Sequence, residues 1–172
     1  MSEQAAIRET KDEAARVIAA NPEKARVKNA SATASLKDGL TLSVTGPNGE
    51  AVETDMPKGV GGEGGVPQPG WLMRAALASC TGTVIAMRAA KLGIALDKLD
   101  VTVESQSDNR GLLGLDRDVS AAMIGLHVAV RIRAANTPKD QLESLVHWGD
   151  AHSPVACTLR GALAAEIDVV ME

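Results

Sequence analysis

The stretch Gly70–Leu92, GWLMRAALASCTGTVIAMRAAKL, carries Met73, Leu77, Cys80, Val84 and Met87 at steps of four, three, four and three. That spacing stacks the five side chains along one stripe of an α-helix. It predicts a core helix with a thiol near its middle, on the face turned to the interior. Arg74, Thr81, Arg88 and Lys91 fall on another side, and this much charge excludes a membrane span. Gly82 inside the helix costs about 1 kcal/mol against alanine, which predicts another backbone passing close to it.

Upstream of the helix lies MPKGVGGEGGVPQPG, Met56–Gly70. It lacks both the GxxxxGK[ST] spacing and a GxGxxG at a strand–helix junction, so a lid or a close backbone passage is expected rather than a phosphate cradle. Earlier still, Ala5, Ile7, Ala14, Val17 and Ile18 among alternating charges predict an amphipathic helix over residues 3–20, ended by Asn21-Pro22. We expect residues 1–22 to be an N-terminal extension of a single domain over 23–172. Arg26–Leu36 and Leu40–Val44 form a hairpin around Lys37-Asp38-Gly39, and Gly46-Pro47-Asn48-Gly49 turns into a third strand at Glu50–Thr54.

Downstream, Gly93 suits a helix C-cap. Leu99, Val101 and Val103 alternate with polar residues, and Ile124 to Ile132 alternates with His127, Arg131 and Arg133 on a wet face. A loop, Ser105–Asp118, joins the two strands. Thr137 as N-cap with Pro138 at the first helical position starts a helix that Gly149 ends after Trp148. Ser153-Pro154 repeats the signal for a helix carrying Val155, Cys157 and Leu159 towards Ala165, and Ile167–Met171 is the last strand. Strands grouped before the long helix and paired after it specify an α+β fold.

Composition narrows the function. The chain has 172 residues, no Phe or Tyr, two Trp and a formal charge of −4. Neither an aromatic platform for single strands nor a basic surface for a phosphate backbone is available, so no nucleic acid partner is expected. The charged first residues and the lack of long apolar runs predict a soluble cytoplasmic protein without a membrane partner. Two cysteines in a reducing compartment are free or redox-active rather than a structural staple. No zinc-ligand spacing joins His147, His152 and Cys157, and no cofactor is expected. Cys157 follows a capped helix start, where the dipole favours negative charge, whereas Cys80 depends for activation on side chains the fold brings to it. His152 as a base for Cys157 or Ser153 is a further arrangement, suited to acyl transfer.

The residues PQPGWLMRAALASCTGTVIAMRAAKLGI and HSPVACTLRGAL together resemble the OsmC/Ohr family, over roughly residues 25–171. The resemblance implies an α+β, OsmC-like fold built as an intertwined homodimer, with central helices packed against wrapped antiparallel sheets. It implies a thiol peroxidase for organic hydroperoxides in oxidative stress defence, with Cys80 as the peroxidatic thiol, Cys157 as resolver and a dithiol as reductant. Where that family has its resolving cysteine this chain has Ser153, and where it has a glutamate about ten residues before the first cysteine this chain has Gly70. No arginine occurs between Glu50 and Trp71, which leaves Lys58 and Glu63 as the supporting charges. The same departures imply an alternative: a family scaffold without peroxidase activity that binds a small apolar ligand at the dimer interface.

Overall fold

The computed structural model describes residues 3–161 and 163–171. Helix α1, Glu3–Ala20, ends where Asn21 precedes a single 3₁₀ turn at Pro22–Ala25. Strands β1 (Thr33–Asp38), β2 (Thr41–Thr45) and β3 (Ala51–Thr54) form an antiparallel sheet in the order β1-β2-β3. Helix α2, Pro69–Leu92, is followed by β4 (Lys98–Gln106), the short helix α3 (Asn109–Leu112) and β5 (Ile124–Arg133). β4 and β5 pair antiparallel, Val101 opposite Val130 and Lys98 opposite Arg133. Helices α4 (Lys139–Ala151) and α5 (Pro154–Gly161) complete the regular structure. Two compact units divide the chain, one formed by Glu9–Ala75 and the other by the described residues before and after it.

In the first unit the hairpin and third strand follow the alternation and turn chemistry of the sequence. The glycine-rich segment after β3 is tied down rather than free. Asp55 is only 2% exposed, and its carboxylate accepts from the backbone N–H groups of Met56 at 2.7 Å, Glu63 at 2.7 Å and Gly64 at 3.0 Å. A Cβ on Gly62 would stand 1.9 Å from the Met56 carbonyl oxygen, so the expected close backbone passage occurs here and only glycine fits it.

The core of the second unit joins Ile85 and Ala89 of α2 to Ile94, Ala134 and Leu145, with Leu99, Val130 and Ile132 packed against them. Full burial of Ile85 and Leu145 contributes roughly 1.5–3 kcal/mol each. The buried stripe of α2 is Leu77, Thr81, Ile85 and Ala89, which corrects the expected one. Cys80 and Val84 are half-buried and Met87 is exposed. Ile85 is on the inside where α4 approaches closely. A Cβ at Gly149 would lie 2.3 Å from Ile85 Cγ1. Gly149 is therefore the point of contact between helices, and α4 runs through it to Ala151 instead of ending there. Gly82, expected to play that part, makes only ordinary contact with Val101.

Other details differ as well. The N-cap of α4 is Pro138, whose ring offers no side-chain acceptor, and the Thr137 hydroxyl donates to the Ala135 carbonyl at 3.5 Å. Gly93 does cap α2, with φ of 71°. Residues 163–171 have no regular structure, so the last strand expected at Ile167–Met171 is not formed. A strand needs a hydrogen-bonded neighbour, and β4 and β5 pair only with each other among the described residues. Ile167, Val169, Val170 and Met171 are 74–89% exposed. No helix among the described residues is long and apolar enough to cross a membrane.

Candidate functional site

The residues singled out in the sequence fall into two groups. Lys58, in a 3₁₀ turn, and Glu63 are exposed on the loop of the first unit. Glu63 is held there by its backbone N–H, not its carboxylate. Burial disfavours ionisation of Asp55, yet the N–H groups of Met56, Glu63 and Gly64 outweigh it and keep this carboxyl below its usual range. Asp55 escaped notice in the sequence, where an acid following a strand reads as the start of a turn.

Cys80, Cys157, Ser153 and His152 all belong to the second unit. Ser153 is fully buried. Its Oγ accepts from the Ala156 N–H at 3.4 Å, as an N-cap should, and from the Thr81 hydroxyl at 3.4 Å. The start of α5 is thus docked on the α2 turn next to Cys80. Both cysteines are free, Cys80 half-buried and Cys157 exposed. The Cys157 thiol donates to the Ala151 carbonyl at 3.3 Å and accepts from Arg160 Nη2 at 3.5 Å. Asp150 holds Arg160 by both carboxylate oxygens, at 3.2 and 3.0 Å, and by its carbonyl at 2.9 Å. The Cys157 sulfur first, and the Asp150 carboxylate second, raise the guanidinium above its ordinary value.

A cavity of about 440 Å³ opens between these elements. Leu77, Val128, Val130, Val146 and Leu159 give it apolar walls, Thr81 lies on it, and His147, Asp150 and Arg160 supply its polar edge. His152 stands apart: its ring stacks on Trp148 with centroids 3.9 Å apart, and its Nδ1 lies 2.8 Å from the Trp148 carbonyl oxygen. Arg88 lies over the same indole, 4.7 Å from its centroid. The imidazole is engaged with the end of α4, whereas the partners of the Cys157 sulfur are the Ala151 carbonyl and Arg160, which is not the base-and-nucleophile pairing of acyl transfer. Among the described residues no cluster of His, Cys, Asp and Glu is able to hold a metal ion. Sequence reasoning passed over Arg160 and Asp150; the spacing of Arg160 three residues after Cys157 in a helix was the available signal.

The sequence matches the OsmC-like protein family over residues 62–168. The chain belongs to that family. An organic hydroperoxide resistance protein OsmC from Legionella pneumophila is 23% identical, over 79% of this chain and 92% of its own, with a TM-score of 0.59. An OsmC-like protein from Mycoplasma pneumoniae is 17% identical over 79% of this chain and 90% of its own, with a TM-score of 0.67. An organic hydroperoxide resistance protein from Elizabethkingia anophelis is 20% identical over 79% and 91%, with a TM-score of 0.58. At these identities the likeness is one of fold, and it establishes the OsmC-like α+β architecture. Among curated proteins none matches this OsmC-like chain.

Proposed function

We propose that this OsmC-like protein is a thiol-dependent reductase of organic hydroperoxides, with Cys80 as the attacking thiol and Cys157 as the resolving one. One observation supports the reading: the two helices that carry the thiols both line one apolar cavity, α2 through Thr81, the residue after Cys80 in sequence, and α5 through Arg160, which donates to Cys157. The Cys80 thiolate takes the terminal peroxide oxygen, releasing an alcohol after protonation and leaving a sulfenic acid. Cys157 then attacks the Cys80 sulfur, water departs and a disulfide forms, which a dithiol reductant opens by exchange. The apolar walls suit the carbon body of the peroxide.

The working unit in this proposal is a homodimer in a reducing, cytoplasmic setting. The exposed apolar side chains of Leu163, Ile167, Val169, Val170 and Met171 support it, since exposed apolar surface marks places where another chain packs. A second reading, a family scaffold that binds a small apolar ligand at the dimer interface without reducing it, is favoured by one feature. Ser153, at the family's resolving position, is buried and fully occupied as a cap.

Intact-mass measurement after one equivalent of an alkyl hydroperoxide separates the two. The reductase loses two hydrogens, and the Cys80→Ser variant consumes no peroxide. Addition of oxygens without loss of hydrogens, or no change at all, overturns the two-thiol cycle.

A further inference from the structure

We propose that the cavity between α2, β5, α4 and α5 takes an uncharged hydroperoxide, an alkyl or ester one, and discriminates against those with a free carboxylate, Asp150 being the residue that sets this choice. That the ligand is a hydroperoxide rests on the two-thiol reading; its lack of charge rests on the cavity alone. In a chain without Phe or Tyr, the walls are branched aliphatic side chains, among them Leu77, Leu126, Val128 and Leu159. Such walls bind by removing apolar surface from water and offer a charged group nothing in exchange for its hydration.

The polar edge decides the charge. It consists of His147, Asp150 and Arg160, and Arg160 is the group a ligand carboxylate would seek, through two parallel N–H···O bonds. Both of its terminal nitrogens are already engaged. Nη1 donates to the two Asp150 carboxylate oxygens at 3.2 and 3.0 Å, and Nη2 donates to the Asp150 carbonyl at 2.9 Å and to the Cys157 sulfur at 3.5 Å. The guanidinium and carboxylate together carry no net charge, so the edge has no cation to spare for an incoming acid.

An acid that enters therefore meets the Asp150 carboxylate, a like charge on the same edge, or leaves its own charge unpaired against apolar walls. An ester or alkyl group meets neither penalty. The Asp150 side chain is 47% exposed, so solvent screens the repulsion and the discrimination is moderate. A second cavity of about 350 Å³ shares Val130, Val146 and His147 with this one and adds Lys139 and Glu143. Their opposite charges lie one helix turn apart, so they too bring no net charge.

The probes are methyl decanoate and sodium decanoate, which do not oxidise thiols, so binding is measured on the reduced full-length protein without peroxide. Titrations follow the methyl resonances of Leu77 and Leu159, which line the cavity. We expect the ester to bind and the acid to bind more weakly, by about fivefold or more. Asp150→Asn keeps the shape of the side chain and removes its charge; it should raise the acid-to-ester affinity ratio about fivefold. Asp140→Asn, the same change in the first turn of α4, should leave the ratio in place, and ester binding to each variant shows that the cavity has formed. A ratio unmoved in Asp150→Asn, an equal rise in Asp140→Asn, acid bound as tightly as ester by the wild type, or no movement of these methyls with either probe would each overturn the proposal. None of these outcomes bears on whether the protein reduces peroxides, which the mass measurement decides separately.

Discussion

The hydroxyls of Thr81 and Ser153 meet at 3.4 Å although 72 residues separate them in the chain. Thr81 is 1% exposed and Ser153 is fully buried. This contact joins the long helix to the start of α5, and it sets Ser153 against Thr81, the residue that follows Cys80 in α2. Two expectations follow from that placement.

Ser153 both caps α5 and partners Thr81. Replacement by alanine removes an N-cap acceptor and leaves the Thr81 hydroxyl without this acceptor in a dry site, at a cost of about 1–2 kcal/mol. Urea unfolding of Ser153→Ala, followed by circular dichroism, should show a lower midpoint with an unchanged slope.

Moving the second thiol to position 153 tests the proposed cycle from another side. In the double variant Ser153→Cys, Cys157→Ser, a disulfide with Cys80 needs Cα atoms within roughly 7 Å. With Ser153 seated beside Thr81, we expect peroxide to produce the loss of two hydrogens in this variant as well. A product that carries only added oxygen would show that the thiol at 153 does not reach the sulfenic acid.

Gly149 faces Ile85 so closely that a Cβ would stand 2.3 Å from Cγ1 and 3.3 Å from the Ile85 Cα. Rotating the isoleucine moves Cγ1 but leaves the tight approach to its Cα, so the backbone must also give by a few tenths of an ångström. Gly149→Ala should destabilise the fold by about 1–3 kcal/mol through overpacking, even though alanine is the better helix former. A stabilised variant in chemical denaturation would refute the packing assignment.

Asp55 anchors the glycine-rich loop through the amides of Glu63 and Gly64. Its carboxyl is held below the usual range in the folded protein. The stabilisation is therefore complete above the ordinary carboxylate value of about 3.9 and is lost as pH falls through the lower, folded value. Hydrogen exchange should show these two amides losing protection severalfold in Asp55→Ala at neutral pH. In the wild type, the same loss should appear only below about pH 4.

Much of the architecture was written in local pattern. Alternation at Leu99, Val101 and Val103 marked β4, Asn21-Pro22 ended α1, Gly93 closed α2, and Ser153-Pro154 opened α5. These depend on residues within a few positions of one another, where backbone sterics and side-chain period decide the outcome. The ALASC and SPV segments likewise pointed to the OsmC-like family through residues read in a row.

What escaped the sequence depends on which elements meet. The inner stripe of α2 turned out to be Leu77, Thr81, Ile85 and Ala89, rather than the stripe through Cys80, because a helix with small residues on several faces buries whichever one its neighbour fits. Gly149 read as a helix end until Ile85 was found against it. Asp55 became an anchor only when the loop returned its amides, and Arg160 became the cation beside Cys157 only when α4 brought Asp150 to hold it. Periodicity fixes a side chain's direction relative to its own backbone; its partners come from distant parts of the chain, and tertiary packing alone selects them.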